Sequence, residues 1–171
     1  MTIDDMLDIE RIRKLRILYS YYLDAGEIDR LVALFTDDAV CEFGPFGVWE
    51  GVEMIAENYR RVMGPVIEKG PFQSLHANTN HWVEITGPDT ALGRLYLIDL
   101  AFGGPPETNP MVWLGVYDEA YTRVAGQWRI QRSGLQFMWP QRHVSDNFPG
   151  AHLPIGSQGG TASMSTDHPP R

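Results

Sequence analysis

Residues 73–102 read QSLHANTNHWVEITGPDTALGRLYLIDLAF, and this stretch decides the fold of the 171-residue chain. Apolar and polar side chains alternate in both halves of it, which predicts β-strands at residues 73–86 and 90–102. The run Gly87-Pro88-Asp89 between them is typical of a hairpin turn. Two more alternating segments follow, at residues 111–124 and 127–139. The sequence therefore predicts a meander of four long antiparallel strands.

Upstream of the meander, the apolar spacing changes to three and four residues, which is typical of helices. It predicts helices at residues 8–23, 27–35 and 51–63, and a strand at residues 39–43. Gly64-Pro65 is expected to end the third helix. This order favours an α+β cone, in which three N-terminal helices pack on one face of a strongly bent antiparallel sheet. A ligand pocket is expected between the two layers.

The composition is that of one folded domain, with 43% apolar and 21% charged residues. The acidic N-terminus is unlike a signal peptide, and no apolar run is long enough to span a bilayer, so we expect a cytoplasmic protein without a membrane partner. Fourteen basic residues against 22 acidic ones give a net charge of −8, which disfavours nucleic acid as a partner. The single cysteine, Cys41, excludes an intramolecular disulfide.

The last 31 residues differ from the rest of the chain because they are rich in Pro, Gly and Ser. The sequence predicts a folded domain at residues 1–140 and a C-terminal tail at residues 141–171. Three apolar side chains of the tail, Phe148, Leu153 and Ile155, are expected to dock on the domain or on a neighbouring subunit.

Sequence motifs for dinucleotides, nucleotide phosphates and hydrolase nucleophiles are absent from the chain. His76 and His81 are five residues apart on a predicted strand, so without a bulge they lie on opposite faces and cannot share a metal ion. We therefore expect no catalytic metal and no cofactor.

Polar residues in apolar surroundings are the candidates for chemistry. Asp99 stands among Leu97, Ile98, Leu100 and Ala101, where a carboxylate is costly unless it is paired, protonated or functional. The alternative is a strand-end aspartate that binds a backbone amide or an arginine. Asp24 ends the first helix near Tyr19, and it could equally be solvated while Tyr19 belongs to the core. His76 alone could be a core histidine.

These residues belong to a longer pattern that resembles the SnoaL-like proteins of the NTF2-like superfamily over residues 9–140. The pattern comprises Ile12, Leu15, Tyr19, Asp24, Gly26, Asp29, Leu31, Leu34, Phe35 and Asp38, then His76 and Asn80, and finally Gly115, Tyr117, Asp118, Arg123, Gly126 and Trp128. The resemblance implies the same α+β cone. It also implies a homo-oligomer, a dimer or a trimer formed through the convex face of the sheet.

Within that superfamily, Tyr19, Asp24, His76 and Asp99 are placed similarly to the site of the bile-acid 7α-dehydratase type. The Asp24 and His76 pair is also similar to the dyad of hexachlorocyclohexane dehydrochlorinase. Both resemblances imply elimination, in which the histidine removes a proton, the aspartate holds the imidazole and an acid assists the leaving group. An arginine on the last strand is also implied, with Arg132 the first candidate and Arg142 the second.

Physical chemistry supports such a dyad, since an imidazole of ordinary pKa is a competent base near neutrality and a carboxylate on its other nitrogen stabilises the imidazolium. Tyr19, or a protonated Asp99, could donate a hydrogen bond to a developing oxyanion or to a leaving hydroxyl. Aromatic and methionine side chains predict an apolar cavity for a hydrophobic small molecule. The residues expected to bind substrate are Phe43, Trp49, Met54, Phe72, Asn80, Trp82, Trp113 and Met138.

The sequence thus predicts a cofactor-independent lyase that acts on a hydrophobic polycyclic or alicyclic molecule. An isomerase or polyketide cyclase in the same cavity is the first alternative, because both also begin with proton abstraction next to a carbonyl. The second is a small-molecule-binding or assembly module without catalysis. A buried, mutually bonded Asp24 and His76 pair favours an enzyme, and a His76 without a carboxylate partner favours the binding module.

Overall fold

The computed structural model of the protein describes residues 1–144. Its helices are α1 (Ile3–Ala25), α2 (Ile28–Val32) and α3 (Val52–Ile67). Its strands are β1 (Phe35–Glu42), β2 (Val48–Glu50), β3 (Ser74–Gly87), β4 (Thr90–Ala101), β5 (Met111–Val124) and β6 (Gln127–Trp139). The helices and the sheet form the two layers of an α+β fold, which confirms the predicted fold class.

The six strands form one sheet in the order β2-β1-β6-β5-β4-β3. The strands β3 to β6 form the predicted antiparallel meander. The sheet is nevertheless mixed, because β1 pairs with β6 in parallel. The apolar alternation of a strand does not encode the direction of a partner that is distant in sequence, and this is why a wholly antiparallel sheet was expected.

The first helix begins and ends at residues suited to those positions. Thr2 caps its N-terminus, where the Thr2 hydroxyl accepts from the Asp5 amide and the Asp5 carboxylate accepts from the Thr2 amide. Gly26 ends it in the left-handed conformation at φ 75°, which glycine adopts without steric cost. The Asp24 carbonyl then accepts from the Phe72 amide at 2.7 Å, so the end of α1 lies against the chain entering β3.

The helical boundaries differ from expectation in all three helices, and α1 is longer, from Ile3 to Ala25. The second helix is shorter, and Phe35 begins β1 instead of ending a helix. The third helix continues to Ile67 through Pro65, although Gly64-Pro65 was expected to end it. The last turn of α3 keeps a backbone bond from the Glu68 amide to the Gly64 carbonyl at 3.0 Å, and Val62 and Val66 of this turn line the cavity described below. Tertiary packing therefore retains a turn that proline disfavours.

A β-bulge interrupts β3. Thr79 pairs with Tyr96 and Trp82 pairs with Arg94, so two residues of β3 face one residue of β4. Asn80 has a φ of 53° in this bulge. The extra residue inverts the alternation beyond it, so Trp82 leaves the face of His76 and the following residues are out of the predicted phase.

Beyond β6, the chain turns back so that His143 and Phe137 exchange two backbone hydrogen bonds of 2.9 Å. The predicted docking of Phe148, Leu153 and Ile155 lies outside the described residues, and the division at residue 140 stays a prediction. Among residues 1–144, no helix has both the length and the apolarity that crossing a membrane requires.

Candidate active site

A cavity of about 270 Å³ lies between the helices α1 and α3 and the concave face of the sheet. Its apolar walls are aromatic and aliphatic, and its polar side chains come from α1, α3 and the strands β3, β4 and β5. The polar residues that line it are Tyr19, Tyr59, Ser74, His76, Asp99 and Tyr117. The mostly apolar lining suits a hydrophobic ligand with a few points of polar contact.

His76 lines this cavity, and Asp24, which does not line it, is bonded to the His76 ring. The His76 Nδ1 is 2.6 Å from the Asp24 Oδ1, and both side chains are about 10% exposed or less. The His76 amide donates to the Asp24 Oδ2 at 3.0 Å, and the Ser74 hydroxyl donates to the Asp24 Oδ1 at 3.0 Å. Because a carboxylate accepts, Nδ1 holds the hydrogen and the lone pair of Nε2 is left for a substrate proton.

Asp99 stands directly opposite His76 in the β3–β4 ladder, on the same face of the sheet. One of its oxygens is 3.6 Å from the His76 Nε2, and the other is buried without a hydrogen-bond partner among residues 1–144. Burial raises the pKa of Asp99 above its ordinary 3.8, His76 opposes this effect, and the charge of Asp24 adds to it. Asp99 is therefore the carboxyl of this site that favours the protonated, hydrogen-donating form.

Three buried tyrosines, Tyr19, Tyr59 and Tyr117, form another part of the lining, which we term the tyrosine wall. The Tyr19 and Tyr59 hydroxyls are 2.6 Å apart, and the Tyr117 ring packs edge-on against the Tyr19 ring. Burial raises the pKa of all three phenols, so they are neutral donors. Tyr59 was not among the predicted site residues, although a hydroxyl on the apolar stripe of α3 was an available signal.

The structure brings four of the five predicted catalytic residues together, namely Tyr19, Asp24, His76 and Asp99. The fifth, Arg132, lies elsewhere, because its neighbour Ser133 faces the interior and alternation turns Arg132 to the opposite face. There it pairs with Glu42 at 2.9 Å. The alternative, Arg142, is exposed beyond the end of β6.

The predicted substrate-binding residues divide in the same way. Phe43, Trp49 and Trp113 line the cavity. The other five do not, and they are Met54, Phe72, Asn80, Trp82 and Met138. The bulge in β3 turns Asn80 and Trp82 away from the cavity. Met138 is next to the cavity residue Phe137 on β6 and so faces the other side of the sheet. Met54 and Phe72 are exposed at 45% and 57%. Ser74 lines the cavity and was missed by the sequence interpretation.

The bulge in β3 turns His81 inward, where it joins a second polar cluster. The His81 Nε2 is 3.1 Å from the Tyr121 hydroxyl, which in turn donates to Glu119. Burial lowers the pKa of His81 to about 4, and the charges of Arg16 and Arg13 act in the same direction. His76 and His81 therefore contact different partners, and no group of three or more His, Cys, Asp or Glu suited to a metal occurs in the described part of the chain.

We expect His81 to make the fold acid-sensitive. Between its ordinary pKa of 6.5 and its folded pKa of about 4, the unfolded chain binds the proton and the folded chain does not. The free energy of unfolding should then fall by up to about 3 kcal/mol as the pH is lowered through this window. Urea unfolding of the wild type and of His81→Gln at several pH values measures this effect. An identical pH dependence for both proteins would contradict it.

Comparison with known proteins assigns the chain to a family. A model of the SnoaL-like domain matches residues 4–133. A search of the curated proteins found no match. The structure of a hexachlorocyclohexane dehydrochlorinase of LinA type 3 from Novosphingobium barchaimii LL02 is similar, with a TM-score of 0.66 and 20% identity over 84% of this chain and 98% of that chain.

Two further solved structures are similar. One is a candidate scytalone dehydratase from Novosphingobium aromaticivorans DSM 12444, with a TM-score of 0.66, 21% identity, and coverage of 85% of this chain and 94% of that chain. The other is a Mycobacterium tuberculosis protein of unknown function, with a TM-score of 0.69, 22% identity, and coverage of 86% and 83%. At these identities the structures establish the fold, and the family match covers most of the described residues. The chain belongs to the SnoaL-like domain family, with its NTF2-like α+β fold.

Proposed function

We propose that this protein is a cofactor-independent lyase that eliminates water, or a comparable leaving group, from a hydrophobic polycyclic or alicyclic small molecule. The observation that supports this most directly is the 2.6 Å contact of Asp24 with the Nδ1 of His76, a residue that lines the mostly apolar cavity. The solved structures that are similar to this chain include proteins named as a dehydrochlorinase and as dehydratases.

In the proposed reaction, the His76 Nε2 removes a proton from a carbon next to a carbonyl group. The electron pair of that C–H bond forms the new C=C bond, and the C–O bond to the leaving hydroxyl breaks. Asp24 keeps the imidazole in the required tautomer and stabilises the imidazolium that forms. The three hydrogen-bond contacts of the Asp24 carboxylate, from the Ser74 hydroxyl and from the His76 ring and amide, hold it in this position.

Asp99 supplies the acid in this scheme. In its protonated form, which burial favours, the Asp99 carboxyl donates a proton to the departing hydroxyl, which leaves as water. Asp99 is then a carboxylate 3.6 Å from a protonated His76 Nε2. Return of that proton from His76 to Asp99 restores both groups for the next cycle, so no external acid or base is consumed.

The cavity supports a compact apolar substrate. Phe43, Trp49 and Trp113 provide aromatic surface, and a volume of about 270 Å³ is just below the usual range for ligand sites. We therefore favour the smaller ring systems of the predicted class, and part of a larger molecule would extend through the open mouth.

An isomerase or cyclase is the second candidate, because the tyrosine wall offers hydroxyl donors to an enolate whether or not a group leaves. A panel of cyclic β-hydroxyketones in deuterated water separates these functions. Loss of one water molecule, detected by mass spectrometry, is expected for the lyase. Deuterium exchange or rearrangement without loss supports the isomerase or cyclase. The lyase proposal fails if the panel is bound but neither exchanged nor dehydrated.

Asp99→Asn should make the protein more stable and less active. The folded wild type retains a proton above the ordinary carboxyl pKa, so its stability decreases as the pH rises through that window. Asparagine does not ionise, so at pH 7 the free energy of unfolding should be higher in the variant than in the wild type, and below pH 3.8 this gain should vanish. Elimination should slow by about tenfold, because the amide is a donor but not an acid.

Urea unfolding at neutral and acidic pH, together with the pH profile of kcat, measures both effects of Asp99→Asn. In the wild type, kcat should fall as the pH rises through the pKa of Asp99, and in the variant this limb should be absent. A variant with unchanged stability and the wild-type pH profile would exclude the acid role of Asp99.

A further inference from the structure

A buried arginine lies behind the tyrosine wall. Arg16 is 1% exposed, and its guanidinium carbon is 3.7 Å from the centroid of the Tyr19 ring and 4.0 Å from that of the Tyr117 ring. The cation therefore contacts two of the three tyrosines of the wall at once. Its nitrogens have no hydrogen-bond partner among residues 1–144. Desolvating a guanidinium is costly, so its contacts with the ring faces and with nearby charge must offset that cost.

Glu119 supplies the counter-charge, with its Oε2 3.5 Å from the Arg16 Nε. The Ser133 hydroxyl donates to Glu119 at 2.7 Å, and the Tyr121 hydroxyl also donates to it. Along β5, Glu119 follows Tyr117 by two residues on the same face, and it does not line the cavity. The ion pair is thus oriented, with the cation against the tyrosine wall and the anion behind it.

We propose that Arg16 is a positioning residue that makes the tyrosine wall selective for an oxygen bearing negative charge. This inference rests on the proposed function and explains how the site recognises the carbonyl substrates of that function, through the enolate that they form. A cation over a phenol ring stabilises electron density on the phenol oxygen, so the hydroxyl becomes a stronger donor. The flat guanidinium also fixes the two rings it contacts, so the donors need no reorganisation when the enolate forms.

The effect of the Arg16 charge on the phenol pKa values has the sign that this role requires. Burial raises the pKa of Tyr19 and of Tyr117, and the charge of Arg16 opposes that effect at both phenols. If Arg16 only filled space, a neutral side chain of similar length could replace it. The preference of the cavity for a charged over a neutral ligand would then not change.

The experiment compares binding of 4-nitrophenolate with binding of 4-nitrotoluene, a neutral molecule of similar shape. Isothermal titration calorimetry at a pH where free 4-nitrophenol is ionised gives both dissociation constants. We expect the wild type to bind the phenolate more tightly. In Arg16→Met/Glu119→Gln, which leaves no unpaired buried charge, this preference should fall by about tenfold, while the Kd for 4-nitrotoluene changes by less than about twofold.

A second variant makes a prediction of the opposite sign. Glu119→Gln keeps one acceptor oxygen, for either Ser133 or Tyr121, but removes the anion behind Arg16, so the preference for the phenolate should increase. The matched control is Arg13→Met, a largely exposed arginine of the same helix, which should leave the preference unchanged. A wild type without a preference, an unchanged preference in the double variant, or a decrease in Glu119→Gln would overturn the inference.

These outcomes are independent of the proposed lyase chemistry, because they need only ligand binding. A preserved phenolate preference in the double variant overturns the role of Arg16 even where His76→Ala abolishes turnover. A wild-type rate in His76→Ala, together with a lowered preference in the double variant, overturns the lyase mechanism and leaves the role of Arg16 intact.

Discussion

His76→Ala and Asp24→Ala should each lower kcat by about 10²–10⁴-fold, which is the usual contribution of a positioned general base. His76→Ala removes the base, and Asp24→Ala leaves an imidazole without its fixed tautomer or the carboxylate that stabilises its charge. Because the two residues act as one unit, the double variant should be little worse than either single variant. The measurement is kcat for the dehydration substrate identified in the panel.

Asp24→Asn separates the electrostatic role of Asp24 from its structural role. The amide oxygen can still accept from the Ser74 hydroxyl or from the His76 amide, so the end of α1 stays against β3. The loss of charge should nevertheless reduce kcat strongly. Asp29→Ala, an exposed carboxylate near the same end of the helix layer, is the matched control and should not affect turnover. Turnover at the wild-type rate by His76→Ala would refute the mechanism and favour the binding module.

Much of this site follows from the sequence because local signals place its residues. Gly26 ends a helix whose stripe includes Tyr19, and Asp24 is the last polar residue before that end. His76 lies near the start of an alternating strand, and Asp99 lies near the end of the next one. In a hairpin the start of one strand lies beside the end of the next, so the sequence positions of His76 and Asp99 make them neighbours.

The features that were mispredicted depend on long-range pairing. Neither the β3 bulge at Asn80 nor the parallel contact of β1 with β6 has a periodic signal in the sequence. Once a strand contains a bulge, its alternation predicts the wrong face beyond that point, as happened with Trp82. The face of Arg132 was likewise undetermined until β6 was aligned with its neighbours.

Arg16 could not be predicted in the same way, since the spacing of apolar residues alone predicts the helices and Arg16 is charged. Ile12, Arg16, Tyr19 and Leu23 follow one another at spacings of four, three and four residues, and all are buried. A charged residue on such a stripe indicates a buried partner of opposite charge. Glu119 at an inward position of β5 is that partner, and together they predict an internal ion pair.

Glu119→Ala should destabilise the fold by about 3–5 kcal/mol, because removing one partner leaves the other charge buried and unpaired. Arg16 has almost no exposure to water, and Ser133 and Tyr121 lose their common acceptor. The exposed pair of Arg60 and Asp29 is the comparison, since its atoms are closer, at 2.6 Å against 3.5 Å for the buried pair. Asp29→Ala should nonetheless cost less than about 1 kcal/mol, because water screens that pair.

A double-mutant cycle shows whether the cost of Glu119→Ala arises from the stranded cation. Replacing Arg16 as well, in Arg16→Met/Glu119→Ala, removes the unpaired charge and should recover part of the lost stability. The sum of the two single-variant losses in unfolding free energy should therefore exceed the loss in the double variant. Urea unfolding at neutral pH gives the four free energies. If the costs are additive, the pair contributes through volume alone. The loss of stability would then come from the cavity left by Glu119. The attraction between Arg16 and Glu119 behind the tyrosine wall would contribute nothing measurable to the free energy of unfolding.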